Sequence, residues 1–457
     1  MKFDYPDDSL TLHTDAYELS MMQTYWKKGM GNRRAVFEAF FRKMPFNNGY
    51  AVFAGLDHII RYVKQLHFTD SDIEYLKSTN QFDDDFLEYL RNFKFTGSIN
   101  SFEEGDLVFN HEPIIQVDAP IIEGQLIETA ILNILNYQIM IATKASRIKS
   151  IVGNQTVMEF GSRRAQELDA ALWGTRAAYI GGFDATSNVR AGKLFGIPIS
   201  GTHAHALVQV YMNDYDAFKA YAETHHNCVF LVDTFDTLKS GVPNAIKVAK
   251  EFGDKINFIG VRIDSGDMAY LSKKVRKMLD DAGFPDAKII ASNGLDEKTI
   301  QNLQMQGAKI DTWGIGTKLI TAYDQPTLGA VYKLVAIEDE DGQLVDTIKI
   351  SNNVGKMSTP GKKQVWRIND RGDGKREGDY ITLVDEDPRN EKSLNMFNPN
   401  FPLQQKDVED FTARPMLKPI WQDGKYVYDE PTLEESRQHR FDSLNALWDE
   451  YKRDLNP

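Results

Sequence analysis

Nine histidines occur in 457 residues, and two of them, His203 and His205, stand two positions apart in "ISGTHAHALVQV", residues 199 to 210. Such a pair is open to four uses: ligating a metal, moving a proton, packing in a core, or attacking an electrophile. On a strand both side chains would share a face and chelate. Ala206, Leu207, Val210 and Tyr211 follow at helical spacing, however, so the Gly201-Thr202 turn is expected to open a helix with His205 in its first turn. The dipole there disfavours imidazolium, leaves a neutral ring able to attack, and welcomes a phosphoryl group on that ring. No neighbouring Cys or Glu completes a zinc set. Nucleophile therefore ranks above packed histidine, and metal ligand last.

Other reactive residue types follow short β-prone runs. "EFGSRRAQ" supplies Arg163 and Arg164, "GGFDATSN" Asp184, and "VDTFDT" Asp233. "GVRIDSGD" supplies Arg262, Asp264, Ser265 and Gly266; "ASNGLDE" supplies Asn293 and Gly294; "WGIGTKL" supplies Gly314, Gly316 and Thr317; Thr202 precedes the histidines. Singly, each has an ordinary explanation. Arg163 and Arg164 fit a helix-start ion pair with Glu167, Asp264 fits a cap for a helix near Met268, and a lone Gly-x-Gly fits a tight turn. Jointly they share a theme. Gly-rich turns at helix starts expose N–H groups to phosphate, and arginines fork onto carboxylate or phosphate. Asp233, Asp264 and Asp267 suit ribose hydroxyls or, through a phosphate, Mg²⁺. A phosphorylated sugar handled with magnesium is the expected substrate class.

Those residues need a frame that brings loop after loop to one rim. The runs "TVMEF" (156–160), "AAYIGG" (177–182), "IPISGT" (197–202), "CVFLVD" (228–233), "NFIGVRID" (257–264), "KIIASNG" (288–294) and "KIDTWGIG" (309–316) each precede a turn and a helical pattern. Most are apolar rather than alternating, as strands covered on both faces are. An α/β barrel of the TIM type is expected, with a doubly wound open sheet as competitor. Residues 1–135 read as mixed α and β, with helices across 57–66 and 71–93, strands across 97–117 and a long buried helix over 130–150. Beyond residue 335, charged hairpins turn at "EDG" and "RGDG", and a helix over 432–454 closes the chain. The expected division is 1–135, 136–336 and 337–457, the last packing with the first.

Composition narrows the class. A net charge of −13 argues against a general nucleic-acid or acidic-membrane binder. The single cysteine, Cys228, rules out an intrachain disulfide and a cysteine-based metal cluster. The acidic start lacks the apolar core of a signal peptide, and no apolar run is long enough to span a membrane, so a cytoplasmic location is expected.

The motifs quoted above stand in register with "LHTDAYELSMMQTYW" and "AVFEAFFRKMPFNNGYAVFAGL" before them and "KISNNVGKMSTPGKKQVWR" after them. Together they closely resemble the nicotinate phosphoribosyltransferase family across nearly the whole chain. The resemblance implies an irregular TIM-like α/β barrel plus an α+β domain built from both chain ends. It implies synthesis of nicotinate mononucleotide and pyrophosphate from nicotinate and phosphoribosyl pyrophosphate, in NAD salvage. ATP hydrolysis would be coupled through a phosphohistidine, which falls on His205, with Mg²⁺ carried by phosphates and His203 in a supporting place. Phe160 would stack on the pyridine ring, with Tyr17 of a second subunit of a homodimer covering the other face. Arg163 and Arg262 would neutralise carboxylate or phosphate, and Asp233 and Asp264 would hold ribose and magnesium pyrophosphate. Asn293, Gly294, Gly314, Gly316 and Thr317 would cradle the 5-phosphate, and Lys356 and Lys362 would close over the phosphates. Asp184, Thr202, Ser265 and Gly266 complete the expected substrate contacts.

Rivals remain at this level: a nicotinamide-specific relative, a quinolinate-using one, a non-catalytic metabolite sensor, and a barrel aldolase or isomerase acting on sugar phosphates. The paired arginines favour an acid ligand. The retained His205, Arg262 and Asp264 speak against a sensor, and the strand ends offer mainly Asp, Arg and His where an aldolase or isomerase wants Lys or Glu.

Overall fold

The computed structural model describes residues 9–350, 358–398 and 401–454. The chain forms two compact units, residues 141–326 and a unit assembled from 1–140 and 327–457.

The 141–326 unit is built on a six-stranded sheet whose strands all run parallel. Their spatial order is Ala185–Thr186, Thr156–Glu159, Thr312–Ile315, Lys288–Ser292, Asn257–Ile263 and Asn227–Leu231. Outer helices cover it, and their starts are fixed by side-chain caps: Asn213 to Asp216 N–H, Asp267 to Tyr270 N–H and Asp296 to Thr299 N–H. Val248 of a further helix, Val242–Phe252, and Val275 and Leu279 of Met268–Asp281 close onto Phe230, Val261 and Ile289 of the strands. Inside the curl, Met158, Val229 and Ile290 form a second layer with the half-buried Phe160.

Two of the expected strands differ. Residues 177–180 are the buried end of the helix Glu167–Ile180, residues 181–182 turn out of it, and the strand is the short Ala185–Thr186. A run of small and apolar residues buried all round carries no period that separates helix from strand. Residues 197–202 give only one bridge, Ile199 to Thr186, because Pro198 offers a carbonyl but no N–H to a ladder. The sheet therefore curls without closing strand to strand.

The other unit carries a seven-stranded sheet in the order Leu344–Asp346, Ala330–Glu338, Arg34–Phe41, Ile115–Pro120, Ser98–Ser101, Lys418–Gln422 and Lys425–Tyr426. Both chain ends enter it, with Arg34–Phe41 antiparallel to Ala330–Glu338. A three-stranded sheet of Arg376–Leu383, Lys363–Asp370 and Phe411–Pro415 follows, so the expected hairpins form. The helical stretch across 71–93 is two helices, Asp70–Ser78 and Asp84–Arg91. The long helix runs over Glu128–Val152. The last helix is Leu433–Ala446, capped by Thr432, and ends earlier than expected because Leu447 turns extended and is buried.

Candidate functional site

The carboxyl ends of five adjacent strands form one rim. In spatial order they deliver Phe160, Gly316, Asn293, Asp264 and Asp233. Parallel strands all point their carboxyl ends the same way, which is why residues up to about 150 positions apart in sequence meet here.

Arg262 is the hub. Its Nε donates to Ser292 Oγ at 2.8 Å, Nη1 to Thr202 Oγ1 at 3.2 Å and Nη2 to Asp264 Oδ1 at 2.9 Å. Ser292 Oγ also donates to Asp264 Oδ1. The guanidinium lies 5.6 Å from the centre of the Phe160 ring, within cation–π range. That ring packs so closely on Gly314 that a Cβ there would stand 2.6 Å from it, so glycine is required.

Asp233 Oδ2 accepts from Asp264 N–H at 3.0 Å and Ser265 Oγ at 2.6 Å. Its Oδ1 is buried with no hydrogen-bond partner among the described residues. A buried carboxylate oxygen left without a donor suits a cation or a ligand hydroxyl. Asn293 and Gly294 are successive left-handed residues, with φ of 76° and 70°. Asn293 Nδ2 donates to Asp264 O at 3.1 Å, while both residues stay exposed at the rim. Exposed backbone N–H groups of a turn can receive an anion.

His205 is the first residue of the helix His205–Tyr211, as expected. Its Nδ1 lies 2.9 Å from Thr234 Oγ1 and its Nε2 3.8 Å from Asp264 Oδ2. When Nδ1–H donates to Thr234, Nε2 keeps its lone pair and faces the rim. His203 is buried instead, and burial, followed by the charges of Arg262, His205 and His225, pushes it down to about 4. It is a neutral, packed ring.

Several predicted residues have other surroundings. Asp264 is not a helix cap, because Asp267 takes that place. Arg163 is exposed and makes no ion pair with Glu167 among the described residues. Gly266 and Thr317 are exposed beside the rim. Asp184 does not join the hub: its Oδ2 accepts from Val157 N–H and Lys149 Nζ, at 2.9 and 3.0 Å, and so fastens two elements. Lys362, in the other unit, is paired with Asp118 at 2.6 Å. Lys356 lies outside the described residues. Tyr17 is half exposed on the helix Ala16–Lys27, where it lines a cavity of about 300 Å³ with Asp15, Glu128 and Asn136. Burial and the neighbouring Glu128 and Glu18 hold its phenol above the ordinary range.

Sequence reasoning gave no role to three participants. Thr234 orients His205, Ser292 joins Arg262 to Asp264, and Glu159 lies under the Phe160-Gly161 turn. Glu159 accepts from Gly161 N–H, Thr175 Oγ1 and Thr186 Oγ1. Burial raises its carboxyl against those bonds. A glutamate inside an apolar strand was the signal available for it.

Comparisons with known proteins agree with one another. Residues 12–136, 155–371 and 362–457 match the family profiles described as nicotinate phosphoribosyltransferase N-terminal domain, family and C-terminal domain. The chain is 60% identical over 457 residues to a nicotinate phosphoribosyltransferase of Bacillus subtilis (strain 168), covering 100% of this chain and 93% of that one. The crystal structure of human nicotinic acid phosphoribosyltransferase superposes with a TM-score of 0.85 at 28% identity, covering 97% and 96% of the two chains. Nicotinate-nucleotide pyrophosphorylase from Pyrococcus furiosus shares the fold, with a TM-score of 0.74 at 22% identity and 98% coverage of both. Among the described residues no helix is long and apolar enough to cross a membrane.

Proposed function

The chain belongs to the nicotinate phosphoribosyltransferase family, and we propose that it transfers the ribose 5-phosphate unit of phosphoribosyl pyrophosphate to nicotinate. The pyridine nitrogen attacks the anomeric carbon, its bond to the pyrophosphate oxygen breaks, and nicotinate mononucleotide and pyrophosphate result. Little acid–base help is needed, so positioning and charge stabilisation carry the rate. The observation that bears most weight is the hub: Arg262, Ser292 and Asp264 bonded together beside the Phe160 ring and the open Asp233 Oδ1.

Phe160 offers a face to the pyridine ring. Arg262 is already held by three partners and organises the site, whereas the exposed Arg163 supplies the positive charge for the nicotinate carboxylate. Asn293, Gly294, Gly316 and Thr317 receive the 5-phosphate. Mg²⁺ fits the residues present, since Asp233 Oδ1 lacks a donor and Asp264 stands beside it. When bound there through pyrophosphate, Mg²⁺ neutralises the leaving group.

ATP enters through His205. Its Nε2 attacks the γ-phosphorus, the bond to the ADP oxygen breaks, and Nδ1–H stays with Thr234. Water later releases inorganic phosphate, which draws the transfer forward. A homodimer working in the cytoplasm, with Tyr17 of a second copy against the pyridine ring, completes the reading.

The test is a product assay with nicotinate or nicotinamide, phosphoribosyl pyrophosphate and Mg²⁺, with and without ATP, for wild type and His205→Ala. Conversion of nicotinate alone, stimulated by ATP only in wild type, is the expected result. Conversion of nicotinamide would overturn the acid assignment, and equal ATP stimulation of His205→Ala would remove the phosphohistidine. Binding without turnover would indicate a sensor.

A further inference from the structure

The parallel sheet has two edges that no strand joins, Ala185–Thr186 and Asn227–Leu231. One segment reaches both. At the first edge, Thr186 N–H donates to Pro198 O at 3.0 Å and Ser200 N–H to Thr186 O at 2.8 Å. At the second, Leu231 N–H donates to a side chain, His203 Nε2, at 3.1 Å. We propose that His203 is a positioning residue: its ring replaces the missing strand-to-strand bond, and thereby sets His205 for phosphoryl transfer. This rests on the phosphohistidine reading of His205.

The bond dictates the state of the ring. Nε2 accepts, so the proton resides on Nδ1, which points to Ala204 O at 3.4 Å. Protonation of both nitrogens would place two donors face to face. The ring is only 8% exposed and packs against Tyr221 and Phe218, with centroids 5.1 and 5.8 Å away. A buried backbone donor is costly to leave unmade, so Leu231 holds the segment firmly.

The neighbours of His203 in sequence are what this clamp serves. Thr202 accepts from Arg262, and His205 meets Thr234, which lies three residues beyond Leu231 on the same strand end. The clamp and the histidine's own support therefore belong to one stretch, Leu231 to Thr234. Without it, the Thr202 contact and the His205 ring lose their common reference.

Two substitutions separate the bond from the packing. His203→Leu fills the space and leaves Leu231 N–H without a partner, whereas His203→Gln places a carbonyl oxygen where Nε2 was. Label transfer from γ-labelled ATP is measured for both, alongside wild type, His205→Ala and the ATP-independent rate of nucleotide formation. His203→Leu is expected to slow labelling about tenfold or more, the size set by an unpaired buried donor. Its ATP-independent rate should fall far less than its labelling does, and His203→Gln should recover most of the labelling. Wild-type labelling in His203→Leu, or equal impairment of the leucine and glutamine variants, overturns the proposal. If the leucine variant fails to fold, recovery or loss in the glutamine variant decides. Undiminished labelling of His205→Ala would instead sink the phosphohistidine reading. In that case ¹⁵N-histidine NMR decides the positioning role: the His205 Nδ1 hydrogen-bond shift must persist in His203→Gln and vanish in His203→Leu.

Discussion

Two charged clusters in this molecule look alike by composition and differ in what they leave open. In the unit formed from both chain ends, Arg367 donates to both oxygens of Asp379, at 3.0 and 2.7 Å, and to Asp106 at 3.1 Å. Asp106 Oδ1 also accepts from Arg414 at 3.0 Å and His439 at 2.9 Å, and Oδ2 from Glu103 N–H at 3.1 Å. At the strand-end rim of the other unit, Asp233 Oδ1 has no donor among the described residues and His205 Nε2 stands 3.8 Å from Asp264 Oδ2. Glu103, Asp106 and His439 stand close enough to ligate a metal, yet Arg367, Arg414 and Lys418 already supply the positive charge. Density of charge does not mark a site; an open carboxylate oxygen among strand-end loops does.

The largest expected effect breaks the closed cluster. Arg367→Met leaves Asp379 buried without its two-bond partner and Asp106 with Arg414 and His439 alone, and should cost about 3–5 kcal/mol of stability, read as a lower urea midpoint. An unchanged midpoint would mean the cluster is no fastener. At the open cluster the readout inverts. Asp264→Asn keeps the shape, removes the charge facing Arg262 and His205, and should lower kcat/KM by about 10²–10³ while the urea midpoint stays put. A matching loss of stability would erase the distinction between the clusters.

The smallest effect at neutral pH is the acid limb. Burial opposes ionisation of Asp106 and Asp379, but Arg367 with His439 or Arg376 holds both carboxyls below the usual range. Their folded values are depressed, so their stabilisation is present above the unfolded aspartate value of about 3.9 and lost as pH falls below it. The unfolded chains cancel in the stability gap between wild type and Arg367→Met, so the gap should narrow as pH falls, once the variant's carboxyls, buried without Arg367, take up protons that those of wild type do not. The gap is the quantity to measure because Glu18, pushed up to about 7 by burial and then by Glu128, acts with the opposite sign. A gap independent of pH would place the stabilisation elsewhere.

Much of the rim was legible in the sequence because parallel strands deliver their ends to one face whatever lies between them. Arg262, Asp264, Asp233 and Asn293 needed only that rule, whereas Phe160 was given its place by the family resemblance. His205 needed the helix start, which the turn Gly201-Thr202 announced. The pieces that were not legible depend on pairing or burial. The helix ending at Ile180 and the run Ile197–Thr202 share the composition of strands, and only packing and Pro198 decide against them. Asp184 sits in a motif beside the rim, yet its partner is Lys149, 35 residues earlier, which no local pattern shows. Thr234, Ser292 and Glu159 are common residue types whose roles exist only once their partners are placed.

The pairing of Arg34–Phe41 with Ala330–Glu338 has a consequence for biosynthesis. The partner of Ala39 is Tyr332, so one edge of the strand "RAVFEAFF" has no neighbour until about 290 more residues have been made. At ribosomal speeds of roughly 5–20 residues per second, that is a wait on the order of 15–60 s. During it a mostly apolar edge stands open in the nascent chain, long after Ile115–Pro120 has become available to its other side. Residues 141–326, with their own sheet and core, emerge within that interval. The order of synthesis thus leaves the first-born strand half paired while the other unit is made, and Ser98–Ser101 waits longer still, for Lys418–Gln422; slow or crowded translation prolongs the exposure of both.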